Sequence, residues 1–526
     1  MADWAARVDA IFAEWDRDDS PGMALGIVQG GELAYARGYG IANLDLGAPI
    51  TPATVFHVAS VSKQFTALSA ALLAEEGKLD LDGDVREHLP ELPDLGVTLT
   101  PRQFITHTSG LRDQYSLFRL GGWRDDDVQA YDDVWRFALD HQRLNFPPGS
   151  EYSYCNTSYT LLATIVERVS GQPFREFVRE RLFEPAGMTR SHVHDDITEI
   201  VPGRASGYAP REGGGYQRAE SNVEAPGAIC VYTCVDDLAR WVINFGSRAV
   251  AGTLLDAALT PGTLSDGSHL RYGYGLALGA YRGLRTVSHG GVDSGYRAEM
   301  LWFPEADFGV VILANLSTVK PGALARRVAD MCLDGRLAGD ELLDTPALAL
   351  GAEELAAYTG LFRNPHSHLT RLVKLENGAL TANAPFGERL PLVPIQPGRF
   401  RFGEPAIEIR IEAQADGTRL YREWGSDGRV LTFVEVEVAE PSAALLAEYT
   451  GSYVNRDLGV RYSLLLHDGK LVARQKKVAD VTLEPTIGDA FRLPHCEVAF
   501  TRNNRDQVTG FDVFAERIRY LRFDRE

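Results

Sequence analysis

The sequence predicts an α+β domain, an antiparallel sheet flanked by helices, followed by two antiparallel β-barrels. Helical and strand patterns alternate in the first part of the chain, whereas short alternating strands with turn residues fill the last third. A polar stretch of small residues separates the two parts. We therefore expect a first domain over residues 1–335, a linker over 336–350, and barrels over 351–440 and 441–526. With 526 residues, the chain is too long for a single hydrophobic core.

An internal repeat predicts the two barrels. The stretch AAYTG around Tyr358 recurs as AEYTG around Tyr449, 91 positions later. The same offset relates four further pairs: Asn377-Gly378 with Asp468-Gly469, Leu392 with Leu483, Pro394 with Pro485, and Phe400-Arg401 with Phe491-Arg492. Asn-Gly and Asp-Gly between alternating apolar runs are typical of tight hairpins. Each copy therefore predicts one antiparallel barrel.

The first domain shows hairpins at both ends and helices between them. Gly30-Gly31 predicts a tight turn between strands over 24–28 and 33–36. Apolar periodicity predicts helices over 62–76 and 158–169, which Gly77 and Gly171 end. The apolar run FGVVILA, residues 308–314, predicts a strand buried on both faces. Together these elements predict an antiparallel sheet covered by helices.

Charge and composition narrow the classes of partner. A net charge of -19 argues against nucleic acid and anionic membranes, because both bind a basic face. Residues 1–16 predict an amphipathic surface helix rather than a signal peptide, and no run approaches the roughly 18 apolar residues of a membrane span. The 5 cysteines form no C-x-x-C pair, so we expect neither a disulfide scaffold nor a zinc knuckle. We expect a cytoplasmic protein without a cofactor.

Three short motifs carry candidate chemistry. Ser60 and Lys63 stand at i and i+3, so the amine can take the hydroxyl proton if both lie on one helical face. Tyr154 offers a phenol that holds or relays this proton, and Asn156 an amide that orients a substrate carbonyl. His289-Gly290-Gly291 follows an apparent strand over 285–288, where glycines allow a substrate backbone to approach.

The same three patterns occur a second time, as Ser317 with Lys320, Tyr453-Val454-Asn455, and His467-Asp468-Gly469. Lys320 precedes a proline, which disfavours helical geometry at the lysine. Tyr453 and His467 lie inside the barrel repeat, and the last triplet predicts a hairpin turn. We therefore interpret the second set as structural. Pattern alone does not distinguish the two sets, whereas their surroundings do.

Longer segments around the first set resemble a known family. They are residues 56–66 (FHVASVSKQFT), 107–113 (HTSGLRD), 148–156 (PGSEYSYCN), 272–276 (YGYGL) and 289–291 (HGG). Together they resemble class C β-lactamases and low-molecular-weight penicillin-binding proteins, over about residues 20–330. Within that family the chain looks most like D-aminopeptidases. The resemblance implies a β-lactamase/transpeptidase-like domain followed by two eight-stranded, lipocalin-like β-barrels, which agrees with the repeat.

The resemblance also implies roles for these residues. Ser60 would form an acyl-enzyme, with Lys63 and Tyr154 sharing the duties of general base and general acid. The backbone N–H groups of Ser60 and Val292 would form the oxyanion hole. His289 stands where class C enzymes carry the lysine of K-T-G, and a histidine is a weaker anchor for a substrate carboxylate. This departure argues against penicillin binding and carboxypeptidase activity.

The last barrel has an implied part in substrate selection. In D-aminopeptidase-like proteins, a loop from that barrel reaches the catalytic cleft and favours a free amino terminus. The matching segment is 474–480, in which Asp480 is the residue that would bind an ammonium group. A solvated hairpin tip is the alternative interpretation.

The expected activity is hydrolysis of amide or peptide bonds in D-amino-acid-containing peptides or amides. A carboxylesterase, a weak β-lactamase and an acyl-transfer or peptide-cyclising enzyme share the same catalytic set and stay open as alternatives. The expected partner is a small peptide, amide or ester, and the sequence leaves a homodimer open.

Two other classes compete with a serine hydrolase. His192-Val193-His194-Asp195-Asp196 resembles the start of a metal site, but Ile197 stands where a further histidine is needed, so we expect an edge segment and no metal. A catalytically retired binding module is the second rival, and the presence of the whole set around Ser60 argues against it. His107 is interpreted as a helix-end residue, Cys155 as a packed apolar residue, and Asp293 and Arg297 as either cleft or surface residues.

Overall fold

The computed structural model describes residues 2–124, 126–140, 143–384, 389–404, 406–425 and 428–526. They form two compact units. The first comprises Met1–Leu111, Asp125–Gln142 and Phe146–Gly339, and the second comprises Arg112–Arg124, Arg143–Asn145 and Asp340–Glu526. Two short segments from the predicted first domain thus belong to the unit of the barrels. The boundaries at 335, 350 and 440 stay predictions.

A six-stranded antiparallel sheet forms the centre of the first unit. Its strands are β1 (Met23–Gln29), β2 (Glu32–Tyr39), β3 (Ala277–Tyr281), β4 (Leu284–Asp293), β5 (Tyr296–Phe303) and β6 (Phe308–Ala314). Their order across the sheet is β3-β4-β5-β6-β1-β2. The predicted first hairpin is confirmed as β1 and β2, and every residue of β6 is buried, as an uninterrupted apolar run predicts.

Helices cover both faces of this sheet. In the first unit they are α1 (Ala2–Phe12), α2 (Lys63–Glu75), α3 (Pro101–Ile105), α5 (Tyr131–Asp140), α6 (Asn156–Ser170), α7 (Phe174–Val178), α8 (Val235–Ser247), α9 (Leu254–Ala258) and α10 (Pro321–Cys332). The second unit contains α4 (Gln114–Leu120), α11 (Glu341–Asp344), α12 (Ala352–Ala356) and α13 (Ala443–Glu448). Helix α10 packs on β5 and β6, and α8 packs on β1 and β6. The predicted layered α+β architecture is confirmed.

Helices α2 and α6 pack against each other and hold the candidate site. Residues 63–73 of α2 are buried all round, which is the pattern of a helix inside the domain rather than on its surface. Helix α6 ends at Gly171 in a left-handed conformation (φ 73°), which glycine adopts without steric cost. Short strands at Phe56–His57, His192–Val193 and Val231–Thr233 form a separate small sheet that contacts the turn before α2.

The first barrel is closed and has eight strands. These are β7 (Gly360–Arg363), β8 (Thr370–Glu376), β9 (Ala379–Asn383), β10 (Arg389–Gln396), β11 (Arg399–Phe402), β12 (Ile407–Ala413), β13 (Arg419–Trp424) and β14 (Val430–Val436). They follow chain order, and β7 pairs with β14 to close the barrel. Its interior is filled by apolar side chains such as Phe362, Phe400 and Tyr421.

The second barrel repeats this plan. Its strands are β15 (Gly451–Asn455), β16 (Val460–His467), β17 (Lys470–Arg474), β18 (Val481–Thr482), β19 (Glu484–Pro485), β20 (Ala490–Leu493), β21 (Cys496–Arg502), β22 (Val508–Ala515) and β23 (Ile518–Arg525). β18 and β19 form the two edges of the ladder and are separated along the chain by Leu483 alone. The fourth strand of this barrel is therefore split, with one half on β17 and the other on β20.

The second barrel also binds the chain segment that contains α4. Tyr462 Oη and Gln475 Nε2 both donate to the carbonyl of Leu120, at 3.0 and 2.9 Å. The Leu120 side chain faces barrel residues including Leu464 and Phe511. The second barrel therefore contacts a chain segment that lies outside its own repeat, which the repeat does not predict. Among the described helices, none has the length and hydropathy that a membrane crossing requires.

Candidate active site

Ser60 lies in a 3-10 turn, Ala59–Ser62, that leads directly into α2. Ala59 adopts a positive φ of 46°, which a residue with a side chain takes only at a cost. Ser62 Oγ secures the turn, since it donates to the Ala59 carbonyl at 2.6 Å and accepts from Val231 N at 3.0 Å. Ser62 thus ties the strained residue Ala59 to the neighbouring strand at Val231, which supports the turn that carries the Ser60 hydroxyl.

Lys63 is fully buried beside this hydroxyl. Its Nζ lies 3.1 Å from Ser60 Oγ, 2.7 Å from Asn156 Oδ1 and 2.8 Å from the Ala228 carbonyl. It also lies 4.7 Å from the centre of the Tyr154 ring. The two shorter contacts are to oxygens that only accept, so both take an N–H of the lysine. As an ammonium, Lys63 donates its third N–H to Ser60 Oγ, and once that proton has left, the amine has its lone pair in the same direction.

Tyr154 and Asn156 reach the site from the start of α6. Asn156 is the first residue of the helix and is buried, and its Oδ1 is engaged by Lys63. The opposite end of this amide, Nδ2, is a hydrogen-bond donor, the type of group expected from the sequence to orient a substrate carbonyl. The Tyr154 ring lies 6.2 Å from the ring of His289, measured between centroids. Four of the predicted residues, Lys63, Tyr154, Asn156 and His289, therefore form one connected cluster that reaches Ser60 through Lys63.

His289 lies inside a strand, which corrects the prediction that it follows one. β4 continues to Asp293, because the two glycines pair with β5 like the residues before them. His289 Nδ1 lies 2.7 Å from the Gly290 carbonyl and Nε2 3.0 Å from Tyr272 Oη. The carbonyl only accepts, so Nδ1 carries the proton and Nε2 accepts from the tyrosine. Burial, together with the charge of Lys63, lowers the pKa of His289 to about 4.

His289 is thus neutral near pH 7, and this state links folding to pH. The unfolded chain takes up a proton at the usual pKa of 6.5, whereas the folded protein resists it until about 4. The free energy of unfolding therefore does not change with this titration above pH 6.5. Below it, the free energy of unfolding falls by about 1.4 kcal/mol for each pH unit, down to about pH 4. Urea unfolding between pH 7 and pH 4 will show this loss, and His289→Gln will show less of it. If the free energy of unfolding falls equally with pH in the wild type and in His289→Gln, the neutral state assigned to His289 is wrong.

The glycines after His289 allow β4 to lie against the turn of Ser60. A Cβ on Gly291 would stand 2.2 Å from the Val58 carbonyl, far inside any real contact. Gly290 faces the other side of the sheet and is exposed. Val292 follows, with 69% of its surface exposed. The predicted oxyanion donors therefore belong to two elements that approach each other closely, the turn and β4.

Gly291→Ala will displace the turn that carries Ser60. Its added methyl group meets backbone rather than a mobile side chain, so we expect a loss of about 1–3 kcal/mol in stability. A shift of about 1 Å at the hydroxyl lowers the rate by roughly 100-fold. The matched control is Gly290→Ala, whose Cβ would meet the end of the Glu299 side chain at 3.1 Å and the Ala298 carbonyl at an ordinary 3.8 Å. Thermal unfolding and turnover of both variants test this, and equal effects would contradict it.

Asp480 belongs to the second unit, where its carboxylate forms an ion pair with Arg474 at 2.7 Å. The hydrogen bond from Arg474 is the main cause that holds the pKa of Asp480 below its usual value. The predicted role of segment 474–480 in the cleft stays a prediction.

A pair of a histidine and a carboxylate, His57 with Asp293, lies behind the turn that carries Ser60 and was not predicted from the sequence. His57 Nε2 lies 3.1 Å from Asp293 Oδ2, and the His57 side chain is fully buried. Burial raises the pKa of Asp293, but the contact with His57 outweighs it and the net direction is downward. The pair joins the start of the turn to the end of β4. The signal for it in the sequence is the histidine within FHVAS, three residues before Ser60.

The residues of the second copies of the three motifs lie where they serve the fold, as interpreted from the sequence. Ser317 lies outside α10, and Lys320 stands before its first residue. Tyr453 is buried in the second barrel, where its hydroxyl donates to the Tyr449 carbonyl at 2.8 Å. Asp468 and Gly469, both at positive φ, form the turn between β16 and β17.

The candidate metal motif also has a structural position. His192 begins a short strand that pairs with Tyr232, and His194 is buried against the ring of the same tyrosine. Burial is the main cause that lowers the pKa of His194 to about 4. Among the described residues, no three histidine, cysteine or acidic side chains are grouped as metal ligands.

Known proteins resemble this chain over the domain that holds the site. The family described as Beta-lactamase matches residues 8–332. A D-aminopeptidase of Gluconobacter oxydans is 30% identical over 331 residues, which are 62% of this chain and 62% of that protein. The chain thus matches less than two thirds of the length of this relative.

Two solved structures share the fold. A protein titled the octameric penicillin-binding protein homologue from Pyrococcus abyssi has a TM-score of 0.59 and 21% identity, with 90% of this chain and 98% of that chain covered. A penicillin binding protein from Bacillus halodurans has a TM-score of 0.53 and 26% identity, with 62% and 98% covered. The matched family model includes the Ser60 turn, both helices that flank it and the β4 strand. The chain belongs to the Beta-lactamase family.

Proposed function

We propose that the protein is a serine hydrolase that cleaves amide bonds through an acyl-enzyme on Ser60, and that its substrates are peptides or amides containing D-amino acids. The observation that carries this proposal is the buried Lys63 amine 3.1 Å from the Ser60 hydroxyl. A buried amine at hydrogen-bond distance activates a serine that is otherwise a weak nucleophile.

The first step is attack by Ser60 Oγ on the substrate carbonyl carbon. The hydroxyl proton passes to the pair formed by Lys63 and Tyr154, in which the lysine amine lies beside the phenol ring. Two N–H groups of Lys63 donate to Asn156 Oδ1 and the Ala228 carbonyl, so that the lone pair of the neutral amine is left for the hydroxyl. The lysine therefore accepts the proton without changing its position.

Collapse of the tetrahedral intermediate then releases the amine. The proton held by Lys63 and Tyr154 goes to the leaving nitrogen, and the same pair takes a proton from the water that hydrolyses the ester. The N–H groups of Ser60 and Val292 bind the oxyanion in both halves of the reaction. Removal of one such donor costs about 100- to 1,000-fold in rate.

The neutral state of His289 supports a substrate that has no carboxylate at this position. The imidazole is buried and neutral, and its two nitrogens are bound to Gly290 and Tyr272. It thus supplies no cation for a carboxylate, unlike a lysine. This favours amide and aminopeptidase substrates over peptides cut at a free carboxyl end. The similarity to a D-aminopeptidase supports D-aminoacyl groups as the acyl part.

A panel of substrates tests the proposal. We expect turnover of D-aminoacyl p-nitroanilides and amides to exceed that of the L-isomers, of p-nitrophenyl esters and of nitrocefin, as measured by kcat/KM. The Ser60→Ala variant gives the background for each compound. Preference for esters alone would replace the proposal by a carboxylesterase, and preference for nitrocefin would replace it by a β-lactamase.

A further inference from the structure

His107 adopts a backbone conformation that is unusual for a residue with a side chain. α3 ends at Ile105, and His107 follows at a positive φ of 59° while completely buried. Glycine would take this conformation without steric cost, so the imidazole itself has to make up for the strain. The sequence interpretation as a helix-end hydrogen-bonding residue gives its place in the chain but not the partners of the side chain.

The imidazole and the backbone of His107 bind the chain on both sides of Tyr154. Ser153 N donates to the His107 carbonyl at 2.9 Å, and Cys155 N donates to His107 Nδ1 at 3.0 Å. These amides belong to the residues immediately before and after the tyrosine. Because Cys155 N donates, Nδ1 acts as an acceptor and carries no proton. One residue therefore fixes the backbone of Tyr154 from two directions.

The ring of His107 also lies against the functional rings of the site. Its centroid is 4.2 Å from that of Tyr154 and 4.8 Å from that of Tyr272. Tyr272 in turn donates to His289. His107 is thus in direct contact with the tyrosine that shares proton transfer and one residue removed from the neutral histidine on β4. The geometry fits a support for the site rather than a group that touches substrate.

We infer that His107 is a positioning residue for Tyr154: its Nδ1 and carbonyl hold the two flanking peptide groups, and its ring sets the plane of the phenol. This inference rests on the proposed function, in which Tyr154 and Lys63 move the proton of Ser60. Its consequence is that loss of His107 lowers the rate of acylation and leaves substrate binding nearly unchanged, because the substrate meets Tyr154 and not His107.

Two variants separate the effect of the His107 Nδ1 acceptor on the rate from the effect of the backbone strain. His107→Gly keeps the positive φ and removes the acceptor and the ring, and we expect kcat to fall by about 100-fold, as for a displaced catalytic group, with little change in KM. His107→Asn tolerates the same φ and places an oxygen near the position of Nδ1. We expect it to be at least about tenfold faster than the glycine variant, which corresponds to about 1.4 kcal/mol.

A double-mutant cycle shows whether the effect passes through Tyr154. If His107 acts by positioning the phenol, then His107→Gly will change the rate of Tyr154→Phe far less than that of the wild type. Additive losses in the cycle, or an asparagine variant no better than glycine, would overturn the inference. If His107→Gly does not fold, the comparison becomes His107→Asn against His107→Gln, whose amide reaches the position of Nε2 instead. Equal rates for that pair would also overturn it.

This outcome is distinguishable from a failure of the proposed function. Labelling of the wild type with a fluorophosphonate reports the nucleophile independently of His107. If the wild type is labelled on Ser60 and the cycle is additive, only the positioning inference fails. If the wild type is not labelled, both fail.

Discussion

Replacing Ser60 by alanine will lower kcat/KM for a D-aminoacyl p-nitroanilide by roughly a million-fold, the size of loss seen when the nucleophile of a serine hydrolase is removed. The variant retains Lys63 and the strained turn, so the protein will fold. The hydroxyl accounts for the effect because it is the atom that forms the acyl-enzyme. Release of p-nitroaniline by the purified variant gives the measurement, with thermal unfolding as a check on the fold.

The chain provides its own control for this variant. Ser317 and Lys320 repeat the spacing of Ser60 and Lys63, but Ser317 lies before α10 and Lys320 is exposed. Ser317→Ala will keep wild-type kcat/KM. A similar loss in both variants, or wild-type turnover by Ser60→Ala, would show that the chemistry lies elsewhere.

Lys63→Met will lower kcat/KM by about 100- to 10,000-fold, which is the usual contribution of a general acid or base. Methionine fills a similar volume without the amine, so the hydroxyl of Ser60 loses the group that takes its proton. The carbonyl of Ala228 and Oδ1 of Asn156 each lose a donor, and the variant will also unfold at a lower temperature. Steady-state kinetics and calorimetry measure the two effects separately.

Lys320→Met is the matched control, since it removes an exposed lysine from the second motif. We expect neither activity nor unfolding temperature to change. If Lys63→Met retained more than about a tenth of the wild-type kcat/KM, Tyr154 alone would be the base, and the shared role proposed for the two residues would be wrong.

The sequence predicted most of the candidate cluster around Lys63 because its members follow local rules. A spacing of three places Ser60 and Lys63 on one side of a helical turn, and the apolar helix after them is unbroken. Tyr154 and Asn156 stand at the start of a second helix that the pattern also predicted. The structure adds that the turn of Ser60 is 3-10 and strained at Ala59, which no residue pattern indicates.

The barrels were predictable for a different reason. A constant offset of 91 residues relates Tyr358 to Tyr449, and the hairpin turns at Asn377 and Asp468 both take positive φ, as Asn-Gly and Asp-Gly turns do. The split of the second barrel at Leu483 was not predicted, because pairing to two different neighbours depends on the curvature of the whole sheet.

The supporting residues escaped sequence reasoning because their partners are distant in the chain. Tyr272 donates to His289, His107 binds Cys155, and His57 contacts Asp293. Each contact joins separate elements, so its existence depends on tertiary packing rather than on spacing. Likewise, the position of His289 inside β4 depends on the pairing of the glycines with β5.

The central claim is that Ser60 forms a covalent acyl-enzyme, and mass spectrometry of the labelled protein tests it most directly. After reaction with a fluorophosphonate, the wild type will gain the mass of one adduct, and peptide mapping will place that adduct on Ser60. The Ser317→Ala variant will be labelled to the same extent, and Ser60→Ala will not be labelled. An unmodified Ser60, or an adduct on another residue, would contradict the account.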